Sequence, residues 1–518
     1  PAPTIAAIEG NCYGCGVELV AQCRYRVAAD TFDTHFYMTE LAEYLFVPTF
    51  GGTQELPGLL GFEKASEFVM WGPRWSARQA VTEGLIDRCF AAEAFQRELE
   101  GFVAEVAGDG STAGSGRRRR IVSSPEGALR VSAGLRGRIE RLPPAYRTVY
   151  GSCLDLMASA AVDPQPEQAA YLREAEVAAR SILDAPCRSA WPFFFVRQIA
   201  QALATGGTPR PGAREFAFTA LDEHVAVLAA ELASRCLPAL RAPPAPGRET
   251  FRLRRYEPAL PSDGVPVDRL VVVSTASTAA AFAADSRPSV VTAHLPFRAS
   301  RIDVAEIGSP AGEPSATARA LGCALTDAGF TVIQTTPKAG FVLDRLLTAW
   351  LTPLVVYLAS GGAPIDLACS LRTFGFTRLP GDWIGALDAR ALAELVRTRL
   401  PELPDVDAHL ASLPAASSPD GSFDPALMSA VVISLGAFAA RAVRDRCVAH
   451  VAYIDLAARD VIDFPLLHTS LCRHVTVARI RELLQSRPAF DHLVDGDDVA
   501  LLEEFVANGR DYYAVPHS

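Results

Sequence analysis

The sequence predicts an α/β protein that becomes all-α towards its C-terminus, and three observations carry that prediction. Short apolar runs beside turn-forming stretches, TIAAI before Gly10 and EFAFTAL after a Gly/Pro-rich segment, read as strands. Apolar residues at three-to-four spacing run through QAAYLREAEVAARSILDAPCRSAWPFFFVRQIAQAL, the pattern of a long amphipathic helix. Further helical regions follow, split by the Pro/Ser/Asp-rich stretch LPELPDVDAHLASLPAASSPDGSFDP. At about 150 residues per domain, a chain of 518 residues holds roughly three or four.

Composition narrows the partners. A net charge of −10 and a pI near 5.5 argue against a general binder of nucleic-acid backbone, which would show a basic face. The run Arg117–Arg120 is the exception. It follows GDGSTAGSG and reads as a solvated loop, with an RNA or acidic-protein contact as its functional alternative. Eleven cysteines at irregular spacing read as reduced, buried thiols of an intracellular protein. Cys12 and Cys15 form a C-x-x-C with no second pair to complete a zinc site, so they read as turn residues and no metal is expected. The stretch from Leu346 to Ile365 is uncharged and long enough to span a bilayer. Pro353, Gly361 and Gly362 interrupt it, which predicts a buried helix and no membrane span.

The chemistry is most legible from Thr4 to Gly61. Gly10, Gly14 and Gly16 mark a turn between a strand and an apolar run, where the backbone bends sharply or lets a ligand approach. The first N–H groups of the following helix are unpaired donors, able to hold a developing oxyanion. Glu18 opens the apolar run and Glu40 stands at a second turn. Two carboxylates entering one cleft can divide acid and base work on a water molecule. The residues permit that chemistry without requiring it; the other reading is two solvated carboxylates at helix ends.

Four segments in order, AAIEGNCYGCGVEL, CRYRVAAD, VPTFGGTQELPGLLG and SARQAVTEGLIDRCF, resemble the crotonase (enoyl-CoA hydratase) superfamily. The resemblance implies part of the crotonase spiral fold over residues 1–106. It implies that Glu18 and Glu40 stand where the family's two hydratase glutamates stand, holding the water that adds across the double bond of a 2-enoyl-CoA thioester. The backbone N–H of Cys15 would then be one donor to the thioester oxygen. Two departures are visible: the family usually has glycine where Cys15 stands, and the segment before Glu40 is longer than usual, which makes Glu43 a rival. Crotonase domains normally begin well before the glycine turn. The expectation is therefore an N-terminally incomplete chain or a second polypeptide that completes the fold.

A flexible Gly/Ser/Arg loop is expected at 107–123 and a helical extension with a linker helix at 124–204. That linker, ending WPFFFVRQIAQAL, resembles the one in multifunctional β-oxidation enzymes, where a hydratase half precedes a 3-hydroxyacyl-CoA dehydrogenase half. The resemblance implies a degenerate Rossmann-like domain at 205–335 and two helical dehydrogenase domains at 336–402 and 420–518. No glycine occurs from Ala213 to Pro246, and Asp222, Glu223 and His224 occupy the turn on which a pyrophosphate would rest. Two acids would repel it, so NAD is expected not to bind. DRLVVVSTAST carries Ser277 in the family's serine position and Thr275 where asparagine is usual. His294 and Glu306 keep the spacing of the family's His–Glu pair, and Asp344 replaces its catalytic asparagine. An aspartate there cannot donate the amide hydrogen bond. IDLAARDVIDFP in the last domain echoes IDLACSLRTFGF in the one before it.

The resemblance as a whole implies an enoyl-CoA hydratase-like member of the multifunctional β-oxidation family with an inactive dehydrogenase half and acyl-CoA as substrate. The alternative is a catalytically dead member serving as a structural subunit or assembly factor of a large organellar complex, such as a mitochondrial ribosome or a respiratory complex. Either way other protein chains are expected as partners, in mitochondria or a peroxisome-like organelle.

Overall fold

The computed structural model describes residues 3–31, 34–108, 120–205, the strands 216–220, 249–255, 270–274 and 291–294, and residues 304–308, 316–327, 330–336, 341–384, 389–415, 420–448, 450–468, 470–509 and 511–514. The chain divides into two compact units, Pro1–Trp191 and Pro192–Ser518.

The first unit is built on two small sheets. β1 (Ile5–Ile8), β3 (Tyr25–Asp30) and β6 (Arg88–Ala91) run parallel, with β3 in the centre. β2 (Cys12–Tyr13) lies parallel to β4 (His35–Tyr37), and β5 (Trp75–Ser76) closes that sheet antiparallel. Its helices are α1 (Cys15–Gln22), α2 (Glu40–Tyr44), α3 (Gly52–Leu60), α4 (Phe62–Trp71), α5 (Ala77–Glu83), α6 (Phe95–Gly108), α7 (Pro125–Ile139), α8 (Pro144–Val162) and α9 (Gln168–Leu183); α10 (Ala185–Thr205) begins in it and continues past Trp191. α6 lays Phe95, Phe102 and Val106 on Val27 and Ala29 of β3. At about 1.5–3 kcal/mol for each large side chain buried, this contact alone fixes that helix to the sheet. Ser76 caps α5 by accepting from the Gln79 N–H at 3.3 Å, and Ser124 caps α7 from Gly127 at 3.1 Å, ahead of a proline at the first helical position.

One expectation fails in this unit. Arg120 is not a solvated loop residue: it pairs with Glu55 at 3.0 Å and donates to the Gln54 carbonyl at 2.5 Å. The cause is a slot beside α3, where any side chain at Gly58 would collide with the guanidinium. Ile121 N–H donates to Gly58 and Ser123 N–H to Ala161, both at 2.8 Å, so 120–123 run along α3 and α8. Arg117, Arg118 and Arg119 lie outside the described residues.

In the second unit β7 (Phe216–Ala220), β8 (Glu249–Arg255), β9 (Leu270–Ser274), β10 (Val291–His294), β11 (Val304–Gly308) and β12 (Thr331–Thr335) form one six-stranded sheet in chain order. Neighbours are parallel except β10 and β11, which are antiparallel. A doubly wound fold binds its dinucleotide where the strand order reverses. Among the described residues the order runs without reversal, so the expected Rossmann-like arrangement is not confirmed; the turn at Asp222–His224 lies outside them.

The rest of this unit is helical, with α11 (Ala316–Asp327), α12 (Val342–Ala359), α13 (Pro364–Phe374), α14 (Pro425–Arg444) and α15 (Ala452–Ile462) as its longer early members. α12 runs on through Pro353 and ends at Ser360, before Gly361 with φ +90°. α12 and α14 are long and apolar enough to cross a membrane, with mean hydropathies of 1.4 and 1.9, yet 78% of each apolar window is buried inside the structure. They pack on each other, and Ser434 Oγ donates to the Ala349 carbonyl at 2.7 Å.

Candidate active site

Glu18 sits on the buried side of α1, with Val17, Val20 and Ala21. Its Oε2 accepts the N–H groups of Phe50 and Gly52, each at 2.8 Å, and its Oε1 takes a longer 3.4 Å contact from Thr49 N–H. Those amides belong to the VPTFGG turn. Gly51 holds φ +94° there, and a Cβ on Gly52 would come within 2.8 Å of Glu18 Oε2. Only a bare backbone lets the carboxylate seat so deeply. Gln22 Nε2 closes the turn from the other side by donating to the Phe50 carbonyl at 2.5 Å. Burial pushes the Glu18 carboxyl up, and the three amides oppose it.

Glu40 opens α2 and is also buried. Its Oε2 accepts the Thr39 N–H at 3.0 Å, and its Oε1 rests against Gly14, where a Cβ would stand 2.6 Å away. Burial first, then the charge of Glu18, and lastly Glu43, push its carboxyl up to about 7. Glu43, the alternative, is only partly buried, one turn further along. Gly14 is the N-cap of α1, at φ +52°, tied by its N–H to the Tyr37 carbonyl at 3.0 Å. Cys15 is therefore the first residue of α1, exposed, in the turn whose N–H groups have no intrahelical acceptor. Glu40 is thus packed against the cap of the helix that carries both Cys15 and Glu18.

A third carboxylate joins them, and the sequence reading missed it. Glu174 of α9 is buried and accepts Gly51 N–H at 2.6 Å on Oε1; its Oε2 takes Thr53 N–H at 2.9 Å and the Thr53 hydroxyl. Burial, with the charge of Glu18 adding to it, pushes its carboxyl up to about 7 against those donors. A signal was present: Ala170, Glu174, Ala178 and Ser181 share the buried face of α9, so an acid interrupts a stripe of small residues. Cys153 of α8 faces all three glutamates from the core, and burial together with their charges pushes its thiol up.

The dehydrogenase-like residues are placed in part. β10 and β11 bring His294 and Glu306 to directly opposed positions in the ladder. The Glu306 carboxylate accepts the Thr335 hydroxyl at 2.6 Å and the N–H groups of Val342 and Leu343, each at 2.9 Å, so it caps α12. Asp344 is buried in the first turn of the same helix. Ser277 and Thr275 lie outside the described residues. No cluster of three or more His, Cys, Asp or Glu able to hold a metal occurs among the described residues.

Two buried carboxyls, one accepting backbone amides and one pushed up to about 7, lie beside the start of a helix, an arrangement able to do acid–base chemistry. Residues 1–114 match the model of the enoyl-CoA hydratase/isomerase family, so the N-terminal part of the chain carries a domain of that family. Among solved structures, an enoyl-CoA hydratase/isomerase from Pseudoalteromonas atlantica T6c is 20% identical, over 37% of this chain and 61% of that one, with a TM-score of 0.24. An enoyl-CoA hydratase from Mycobacterium avium subsp. paratuberculosis K-10 is 15% identical over 37% and 63%, with a TM-score of 0.26. The chain spans less than two thirds of the length of either.

Proposed function

We propose that the first unit hydrates an enoyl-CoA thioester, with Glu18 as base, Glu40 as acid and the Cys15 N–H as a donor to the thioester oxygen. The observation that carries this reading is the division between the two carboxyls. Three backbone amides favour the charged form of Glu18 against the upward push of burial, whereas Glu40, buried beside that charge, keeps its proton up to about pH 7. Water gives a proton to Glu18 as its oxygen bonds to the β-carbon. Glu40 delivers its proton to the α-carbon, and negative charge passing through the thioester oxygen is met by the start of α1. The proton on Glu18 then returns to Glu40, which restores both groups.

The test is loss of the conjugated-thioester absorbance of crotonyl-CoA. Glu40→Gln is expected to lower turnover by about 10²–10⁴-fold, the usual contribution of a positioned acid or base. Because the acid must be protonated, kcat/KM is expected to fall as pH rises through about 7. Wild-type turnover no greater than that of Glu40→Gln would remove the enzyme reading.

One observation favours the structural alternative. Glu18 Oε2 and both oxygens of Glu174 are already committed to the start of α3, as expected of groups kept for the fold. On that reading the native particle is a large assembly containing unrelated chains, which its mass would show. For the second half we propose that no nicotinamide nucleotide binds, on the strength of the glycine-free segment 213–246 and of Asp344.

A further inference from the structure

We infer that Glu174 is a positioning residue for the Glu18–Glu40 pair, so that the site reaches into α9, beyond the 1–114 segment matched to the family. This inference rests on the acid–base reading of that pair.

The turn at Thr49–Thr53 is gripped alternately by two carboxylates from different helices. Glu18 takes the amides of Phe50 and Gly52, and Glu174 those of Gly51 and Thr53. Neither can shift without pulling on the backbone that the other holds. α9 makes a second contact one turn earlier, where the Tyr171 ring stands 3.3 Å from the position of a Cβ on Gly51 and its hydroxyl donates to Glu55. Ser181 extends the brace, its hydroxyl accepting the Val47 N–H at 3.1 Å. Val47, Gly51 and Thr53 are thus all held from α9, and Glu18 binds the amides between them.

The groups facing Glu174 from the packed elements are Glu18 of α1, Thr53 of α3 and Cys153 of α8, with the Glu55–Arg120 pair on the outer side of α3. The charge of Glu18 pushes the Glu174 carboxyl up, and such a coupling is reciprocal. Removing the Glu174 charge should make Glu18 easier to ionise, while loss of an acceptor should loosen the turn.

The experiment compares wild type, Glu174→Gln and Glu174→Ala in the full chain. Expected for Glu174→Gln is a fall in kcat of about tenfold with KM unchanged, and an acidic limb of the pH–rate profile displaced to lower pH. Glu174→Ala should lower kcat further. A loss of thermal stability with kcat and pH profile both unmoved would make Glu174 merely structural and overturn the inference. An infrared pH titration of the protonated-carboxyl band needs no turnover, so it separates failure of this inference from failure of the hydratase reading. Glu174→Gln should remove one carboxyl from the band and lower the midpoint of another; loss of one component with the others unmoved would also overturn it.

Discussion

Glu40 shows how one side chain can carry both a chemical task and a cost to the fold. Its carboxyl lies near 7 in the folded chain against 4.5 for the free group. The folded state therefore keeps a proton that the unfolded chain has released. Stability must fall as pH rises from about 4.5 to 7, and the full cost, about 3 kcal/mol, applies above that range. Glu40→Gln should accordingly unfold at higher urea than wild type at pH 8, with the advantage gone at pH 4. Gly14→Ala should do the opposite, since the new methyl would stand 2.6 Å from Glu40 Oε1 in a backbone already at φ +52°. A loss of about 2 kcal/mol or more, read from the urea midpoint, is expected. Glu18, Glu40 and the glycine turn were legible in the sequence because each sits beside a local signal. Glu174 carried only the mark of an acid within a stripe of small residues, and its hydrogen-bond partners lie more than a hundred residues away.

At the scale of elements, the chain repeats one device: a buried acid reaches across from a neighbouring segment to satisfy the first amides of a helix. Glu18 and Glu174 do so for α3, Glu306 for α12, and Asp455 for the short helix Leu471–His474 through Cys472 N–H at 2.6 Å. Such ends carry unpaired donors and a positive partial charge, and a carboxylate answers both. Glu306→Ala would leave two buried amides and the Thr335 hydroxyl without that acceptor. A loss of about 3–5 kcal/mol in urea unfolding is expected, with a smaller loss for Glu306→Gln. His294 and Glu306, twelve residues apart, stand opposite each other in the ladder of β10 and β11. That Glu306 is bound to α12 could not be read from spacing, because Val342 and Leu343 meet it only once the sheet and helix have packed.

For the whole molecule, the strand at EFAFTAL could be placed from a short apolar run, and the helices leading up to it from their periodicity. Strand order could not, because register depends on which edges meet rather than on any one run. Titration of protein fluorescence with NADH should show no saturable binding at micromolar concentrations; saturation there would remove the claim of a nucleotide-free second half. The echo between IDLACSLRTFGF and IDLAARDVIDFP also acquires a physical content. Asp366 accepts Ser422 N–H at 2.7 Å and its hydroxyl at 2.9 Å, while Asp455 accepts the Ser470 hydroxyl at 2.8 Å as well as the Cys472 amide.

The two latches close tethers of very different length, 56 residues in one case and 15 in the other. Bringing the ends of an unfolded span together costs only about 0.6 kcal/mol more for each doubling, so a nearly fourfold difference adds about 1 kcal/mol to the folding of the longer one. A protein engineer should therefore find that a reporter or affinity handle spliced between the helices of the longer span adds little to that cost, provided Asp366 and Ser422 remain to pull its ends together.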